Sequence, residues 1–490
     1  MFRQPRILSR FTVFPASTGN AENPSCAFPH CFVQQGVHCP TIAFPAFSGR
    51  PCLSTAVDLL IHPRWLIPVV PDNVALERHS IAVHDGQIVD ILPQPEARAR
   101  YRATDDYDLP AHALIPGLVN LHTHAAMSLM RGLSDDLPLE RWLRDVIWPA
   151  ESRHVSPAFV RDGTLLAAYE MLRGGITTCN DMYFFPGDAA HAFAETGMRA
   201  IVGLIVLDFP SAWASDADDY LRKGLAVRDK WRGHPLVSFA IAPHSPYAVP
   251  DAGLERAACL AAELDLPVHI HVHETANEVN ESLAAFGMRP IARLERLGLL
   301  GPSLTAVHVT HPDETDLALL ARRGCSIAHC PVSNMKLASG IAPVPAMLRH
   351  GINVGLGSDG AASNNRLDLF QEMRQAALLA KVGSLDASAV PAHDALRMAT
   401  MGGARALGLD GMIGSLEIGK RADLCAVAFD NPLTAPCFDP ISHLIYVCGR
   451  HQVSHVWVDG RIRVRNNEML LQISDNELLA LASLWQTRVV

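Results

Sequence analysis

Short apolar runs and segments of helical spacing alternate along the chain from Ala113 onward. This alternation is typical of parallel α/β folds, in which a helix returns the chain to the start of the next strand. The runs that have the length of buried strands are Leu114–His122, Ile176–Asp181, Arg199–Leu207, Val237–Pro243, Pro267–His273, Leu304–Thr310, Cys325–Cys330 and Asn353–Ser358. Eight such strands predict a closed (β/α)₈ barrel of the TIM type, although an open doubly wound sheet would give the same pattern.

The two flanks of this region follow a different pattern. Residues 56–112 and 415–470 resemble short alternating strands with turn signals between them, such as Asp85-Gly86 and Asp459-Gly460. They predict one small β-sandwich that is assembled from both ends of the chain around a barrel of residues 113–414. Residues 475–485 have helical spacing, so we expect the second flank, residues 415–490, to end in a helix.

Residues 1–55 show no sustained period and are rich in Pro, Ser, Phe and Cys. A secretory signal would need a basic start followed by an apolar run of about 7–15 residues, and none is present. We therefore expect a disordered extension, or translation from a start upstream of the true one.

Composition narrows the classes of function. The chain has 490 residues, of which 49% are hydrophobic and 19% charged, as in ordinary globular proteins. A formal net charge of −9 argues against a nucleic-acid partner, and no apolar stretch approaches the ~20 residues that span a bilayer. Most of the later cysteines lie in apolar runs, as in reducing compartments. We expect a cytoplasmic protein that acts on a small molecule, and a homo-oligomer is compatible with these features.

Histidines and acidic residues occur where the predicted strands end, which is where barrel enzymes form their active sites. His122 and His124 close the first strand and share a face, because they are two residues apart. With 23 histidines, chance alone gives roughly one such pair, so the pair by itself decides little. The ends of strands five, six and eight add His269, His271, His273, Glu274, His308 and Asp359. Imidazoles with one carboxylate can bind a divalent metal and leave room for water, which predicts a metal-dependent hydrolytic enzyme.

Periodicity alone does not show which histidine of strand five binds the metal, because His269, His271 and His273 share one face. His269 lies deepest and is expected to be a hydrogen-bonded core residue, whereas His273 is expected at the rim. Strand four ends at Pro243-His244, without a lysine that could be carbamylated to bridge two metals. We therefore expect one divalent ion; zinc is favoured, and iron or manganese suits the same donors.

Several motifs together resemble the amidohydrolase superfamily: PGLVNLHTHAAMSLMRG, PHSPY, HVHET, HCPVSN, GSDGAASNN and GSLEIGKRADL. Within it they are similar to the methylthioadenosine and S-adenosylhomocysteine deaminase branch, and to its bacterial 5′-methylthioadenosine deaminases in particular. The resemblance runs from about Val57 to the end of the chain. It implies metal ligands at His122, His124, His271 and Asp359. It implies catalytic roles for Glu274, His308 and Asp359, and substrate binding by Glu151, His244 and Glu274, with Trp142 either beside the pocket or simply packed in the core.

The resemblance implies hydrolytic deamination of an adenine nucleoside. A bound metal would bring the pKa of a water molecule toward ~7, so that hydroxide becomes available. Glu274 would protonate N1 of the ring, Asp359 would take the proton of the water, and His308 would orient the hydroxide. Glu151 would hold the hydroxyls of the ribose.

One departure from the family bears on the substrate. Relatives that accept S-adenosylhomocysteine hold its carboxylate with arginines after strand three, but residues 201–213 contain none and the next is Arg222. We therefore expect conversion of 5′-methylthioadenosine to 5′-methylthioinosine and ammonia, with adenosine or S-adenosylhomocysteine as further substrates. The alternatives are a hydrolase of another aminated ring (guanine, a pterin or a triazine) and a non-catalytic barrel that serves as a scaffold.

Two polar pairs, Ser333-Asn334 and Asn364-Asn365, end two of these motifs and are expected near the site. Side chains of these types usually cap loops and helix ends. We assign them no catalytic role.

Overall fold

A computed structural model describes residues 54–489 of the chain. The extension predicted for residues 1–55 therefore lies outside the described residues, apart from its last two positions. The described part contains an eight-stranded parallel sheet and a nine-stranded mixed sheet.

The eight-stranded sheet is the predicted barrel. Its strands are numbered here in chain order: Leu118–Thr123, Ile176–Tyr183, Arg199–Val206, Val237–Pro243, Val268–Val272, Leu304–His308, Ser326–His329 and Asn353–Leu356. Each strand pairs in parallel with the next. Between strands eight and one, the backbone N–H of Asp359 donates to the carbonyl oxygen of His122 at 3.0 Å, so the barrel is nearly closed. The predicted barrel fold is confirmed.

Helices cover the outer face of the barrel, which is why strands two and three are buried along their whole length. The longer helices are Pro157–Arg173, Pro186–Thr196, Ala217–Lys230, Asp251–Leu264, Ala276–Phe286, Glu314–Arg323 and Leu369–Ser384. Shorter helices include Trp148–His154, Pro290–Arg296, Pro331–Lys336, Val344–Arg349, Ala392–Arg397 and Pro440–Tyr446. Local signals set their ends: Asp313 caps the helix Glu314–Arg323, and Gly324 ends it in the left-handed region at φ +69°.

The first barrel strand differs from its prediction. The apolar run Leu114–His122 is divided between the two sheets, because residues up to Pro116 belong to the mixed sheet and strand one begins at Leu118. Gly117 makes this junction, and a Cβ there would lie 2.2 Å from Oγ1 of Thr177. Both sides of the junction are buried, so hydrophobicity along the chain does not mark the break.

The nine-stranded sheet contains residues from both flanks of the barrel. Its strands are Thr55–Leu66, Leu76–Glu77, His79–His84, Gln87–Pro93, Tyr101–Pro116, Leu424–Ala428, Val453–Val458, Arg461–Arg465 and Glu468–Met469. The strand Tyr101–Pro116 joins the two flanks, since it pairs in parallel with Thr55–Leu66 and antiparallel with Leu424–Ala428. The strands Thr55–Leu66 and Tyr101–Pro116 have 12 and 16 residues, so they are longer than the short strands that were predicted. Ile88 and Trp457, from distant strands, share one apolar cluster, so the sheet curls on itself.

The last helix, Asp475–Val489, includes the segment predicted to be helical. Its Trp485 packs edge-on against Phe159 of the helix Pro157–Arg173, with ring centroids 5.2 Å apart. Of the helices between residues 54 and 489, none has both the length and the apolar character that a membrane crossing requires.

Candidate active site

Four side chains from the ends of three strands converge at the carboxyl end of the barrel. Nε2 of His122 lies 3.2 Å from Oδ1 of Asp359 and 3.2 Å from Nε2 of His271. Nε2 of His124 lies 3.3 Å from the same oxygen of Asp359. These are the four residues for which the sequence predicts metal binding, and the fold brings them into one cluster.

The outer hydrogen bonds of this cluster leave its inner nitrogen atoms without protons. Nδ1 of His124 donates to the carbonyl of Met182 at 2.6 Å, and Nδ1 of His271 donates to the carbonyl of His244 at 2.6 Å. In the neutral rings, Nε2 therefore presents a lone pair to the centre. Burial lowers the pKa of His271 well below its usual value, which favours the neutral ring. Lone pairs and a carboxylate held this close repel one another unless a cation lies between them, so the donors fit a divalent metal ion.

The three histidines of strand five have different surroundings in the structure. Nε2 of His269 lies 3.0 Å from Nδ1 of His122 below the cluster, so His269 is the hydrogen-bonded core residue that was predicted. His271 faces the cluster. The prediction for His273 is wrong: this residue is fully buried rather than at the rim, and its Nε2 accepts the N–H of Ile291 at 3.3 Å. The φ of +55° at His273 ends the alternation of the strand and accounts for the changed direction of its side chain.

Glu274 and His308 lie beside the four converging residues. Oε2 of Glu274 is 3.8 Å from Nε2 of His308, and both side chains are buried. Burial, together with the charge of Asp359, raises the pKa of Glu274 to about 8, so this carboxyl carries a proton at neutral pH. Burial would also raise the pKa of Asp359, but the surrounding histidines, above all the hydrogen bond with His122, outweigh it and hold that pKa well below its usual range. The site therefore pairs a carboxylic acid with a carboxylate.

A cavity of about 620 Å³ opens over this cluster. The predicted substrate-binding residues Glu151, His244, Glu274 and Trp142 all line it. Trp142 is nevertheless almost fully buried, and its Nε1 donates to the carbonyl of Ser134 at 3.2 Å, so it is both a wall residue and a packed one. All the predicted site residues except His122 line this cavity, and His122 contacts Asp359 and His271, which do.

Glu151 contributes another carboxyl group to the cavity wall. It lies on the helix Trp148–His154, and the hydroxyl of Tyr183 donates to its Oε1 at 2.8 Å. Tyr183 follows Met182, whose carbonyl accepts a hydrogen bond from His124, so Glu151 is linked to the edge of the four-residue cluster. Burial raises the pKa of Glu151 to about 7, and the hydrogen bond from Tyr183 opposes this increase. The group therefore changes charge near neutral pH.

Ser333 and Asn334 contact the cluster directly, although their sequence suggested only loop capping. The hydroxyl of Ser333 donates to Oδ2 of Asp359 at 2.6 Å. Nδ1 of His308 lies 2.8 Å from Oδ1 of Asn334 and donates to it, which leaves Nε2 of His308 as an acceptor. The position of Ser333 and Asn334 in the sequence could have indicated this contact. Both residues directly follow strand seven, its neighbours strands six and eight lead to His308 and Asp359, and active-site loops follow barrel strands.

A nearly closed (β/α)₈ barrel with three imidazoles and one carboxylate at its carboxyl end defines a metal-dependent hydrolase. Residues 113–463 match the amidohydrolase family. A Saccharophagus degradans protein named 5-methylthioadenosine/S-adenosylhomocysteine deaminase is 47% identical over 435 residues, which cover 89% of this chain and 97% of the relative. A protein of the same name from Teredinibacter turnerae is 44% identical, over 89% of this chain and 98% of the relative.

Solved structures show the same relationship. An adenosine deaminase from Xanthomonas campestris with bound zinc has a TM-score of 0.88 and 48% identity, over 89% of this chain and 99% of that one. The atrazine chlorohydrolase of Arthrobacter aurescens, complexed with zinc, has a TM-score of 0.81 and 25% identity, over 87% of this chain and 100% of that one. The chain belongs to the amidohydrolase family, and the resemblance predicted from its motifs is confirmed.

Proposed function

We propose that this protein converts 5′-methylthioadenosine and water to 5′-methylthioinosine and ammonia, and that zinc is its metal. The observation that carries the proposal is the position of two buried carboxyl groups, Glu274 and Asp359, beside a three-histidine cluster, where burial raises the pKa of Glu274 and the histidines hold that of Asp359 low. A purine must gain a proton and a hydroxyl group at neighbouring atoms, and this pair can handle both protons. The names of the relatives and the zinc bound by the Xanthomonas campestris neighbour support the reaction and the metal.

The ribose and the purine ring would be held by different walls of the cavity. Charged Glu151 has carboxylate oxygens that can accept hydrogen bonds from the two neighbouring hydroxyls of a ribose. His244 lies on the wall near His271, with ring centroids 4.7 Å apart. Burial lowers the pKa of His244 to about 3, so the ring is neutral. Its Nδ1 lies 3.2 Å from the hydroxyl of Ser245, which leaves Nε2 to contact the substrate.

Proton movements can be assigned to residues of the chain. A bound divalent metal supplies water activation, because it brings the pKa of the water toward ~7. Glu274 donates its proton to N1 of the adenine ring, which makes C6 electron-poor. Asp359 accepts the proton that the attacking water releases and passes it to the amino group, which leaves as ammonia. As the C6–N bond breaks, the C6 hydroxyl becomes the carbonyl of the product, and its proton returns to Glu274. Nε2 of His308, set as an acceptor by Asn334, orients the attacking water.

The cavity wall favours an uncharged group at the 5′ position. Trp148, Phe184 and Phe209 lie on the wall together with Glu151. Of the described residues that line the cavity, Arg293 alone carries a permanent positive charge, and its guanidinium already has hydrogen-bond partners in the protein. It donates to Oδ1 of Asp251 at 2.7 Å and to the carbonyl of Pro246 at 2.5 Å. A methylthio group suits such a wall, whereas the carboxylate of S-adenosylhomocysteine would lack a bidentate partner.

The titration of Glu151 gives a pH prediction. Below about pH 7 its carboxyl is protonated, and above that it is the carboxylate that accepts two ribose hydroxyls. We therefore expect the KM for 5′-methylthioadenosine to fall as the pH rises from 6 to 8. The Glu151→Gln variant should lose this dependence and keep a high KM throughout, while Glu314→Gln, on the exposed surface, should behave like the native protein. A KM of the native protein that is constant over this range would contradict the prediction.

A substrate panel with metal analysis tests the proposed function. The panel contains 5′-methylthioadenosine, adenosine, S-adenosylhomocysteine, guanine, a pterin and a triazine, and the readouts are ultraviolet absorbance and released ammonia. We expect the highest kcat/KM for 5′-methylthioadenosine, a much lower value for S-adenosylhomocysteine, and one zinc ion per chain. Turnover of free bases or triazines alone would overturn both the substrate and the role of Glu151.

A cytoplasmic location remains our prediction. The seven cysteines of the described residues are all free, and disulfides are rare in reducing compartments. Fractionation of the source cells with an antibody against the protein would test it.

A further inference from the structure

The segment Pro331–Ser339 after strand seven contains no metal ligand and no proton carrier of the proposed reaction, yet it contacts the residues that do this work. Through Ser333 it binds Asp359, and through Asn334 it binds His308. Ser333 is fully buried and is not part of the cavity wall, so its contacts serve the protein and not the substrate.

The far end of the segment is Ser339, which is also buried. The carbonyl of Ser339 accepts a hydrogen bond from His311 at 2.6 Å, which holds this end of the segment in place. One short stretch of chain therefore contacts both the proposed base and the histidine that orients water.

The two oxygens of Asp359 have different surroundings. Oδ1 faces the nitrogen atoms of His122 and His124 and accepts the N–H of Gly360 at 2.8 Å. Oδ2 accepts the hydroxyl of Ser333 at 2.6 Å. The Ser333 hydrogen bond therefore fixes the rotation of the carboxylate and with it the direction in which Asp359 can exchange a proton.

A buried glutamate sets the distance between Ser333 and Asp359. Glu372 is fully buried on the helix Leu369–Ser384, where its Oε2 accepts the N–H of Val332 at 3.1 Å. Its Oε1 accepts the side-chain amide of Asn364 at 2.7 Å, and that amide also donates to the carbonyl of Ser358 at 2.6 Å. The carboxylate thus joins the backbone before Ser333 to the loop that contains Asp359.

We propose that Ser333 is a positioning residue that holds Oδ2 of Asp359 for proton exchange, and that Glu372 keeps Ser333 at the required distance. The inference rests on the proposed function, because proton exchange at Asp359 is a step of that reaction. A positioning role differs from a purely structural one in what is lost. Removal of the Ser333 hydroxyl should slow the chemical step and loosen Asp359 as a metal ligand, but it should leave substrate binding unchanged.

The test compares Ser333→Ala with Ser326→Ala. Ser326 is a buried serine at the start of strand seven, the end remote from Ser333, where its hydroxyl accepts a hydrogen bond from the side-chain amide of Asn353 at 3.0 Å. For metal-loaded Ser333→Ala we expect kcat about 10–100-fold lower and an unchanged KM for 5′-methylthioadenosine. Metal release to a chelator should be about tenfold faster. Ser326→Ala should match the native protein in all three measurements.

Two results would overturn the inference: a kcat of Ser333→Ala within threefold of native, or an equal loss in Ser326→Ala. If the native protein deaminates no nucleoside, the proposed function fails, and chelator competition alone decides the inference, with equal release rates overturning it. Glu372→Gln adds a second test, because both variants act through one oxygen of Asp359. The double variant should lose no more kcat than the single variant that has the lower kcat. If instead the fold losses of the two single variants multiply in the double variant, Glu372 acts independently of Ser333 and is removed from the proposal.

Discussion

Replacing His271 by alanine is expected to remove the bound metal and to lower deamination at least about 10³-fold. His271 is buried at the cluster, and its Nε2 lies 3.2 Å from that of His122, so the variant loses one of four converging donors. Its Nδ1 bond to the carbonyl of His244 also disappears, which frees the wall of the cavity next to the metal. Metal content after dialysis and the rate with 5′-methylthioadenosine measure the two losses.

The control for this variant is His84→Ala, in which a half-exposed histidine of the mixed sheet is removed. It should retain native metal content and activity. Full metal content in His271→Ala would contradict the assignment of His271 as a ligand, whatever its activity. Recovery of activity by excess metal would instead show that the ligand set is weakened and not abolished, as expected for three remaining donors.

Replacing Glu274 by glutamine is expected to lower kcat/KM about 10²–10⁴-fold while the metal stays bound. Glutamine keeps the shape of the side chain and can donate an N–H, but it cannot transfer a proton to the ring. The carboxyl suits this transfer because burial and the charge of Asp359 raise its pKa to about 8. Steady-state kinetics with 5′-methylthioadenosine, together with metal analysis, measure the effect.

The matched control is Glu263→Gln, a carboxylate on the exposed side of the helix Asp251–Leu264, which should leave kcat/KM unchanged. Activity of Glu274→Gln within tenfold of native would show that another group protonates the substrate. Loss of the metal in this variant would place Glu274 among the ligands rather than among the proton donors.

The sequence predicts the barrel well because its strands are buried on both faces and therefore read as apolar runs. Polar residues that close such runs are brought together by the fold itself, which is why His122, His271 and Asp359 could be grouped in advance. The break at Gly117 could not be predicted in this way, because it depends on the close approach of Thr177 from a distant part of the chain.

The missed features have one physical cause. Ser333 and Asn334 become important only through partners that lie far away in sequence, Asp359 and His308. Glu372 has no local signal at all, since an acidic residue on a helix normally suggests an exposed face. His273 was misplaced because the alternation of a strand holds only until the backbone leaves the extended region, and here it does so at φ +55°.

The hydrogen bond from Asp359 to the carbonyl of His122 also has a consequence for the order of folding. Two of the proposed ligands come from the first barrel strand and its end, and the proposed carboxylate ligand follows the last strand, so the full donor set forms only when the ring of strands closes. A ribosome-bound chain that lacks the eighth strand would hold only part of the donor set. Metal binding would therefore stabilise the completed barrel over every shorter intermediate, and metal uptake would report the final step of assembly.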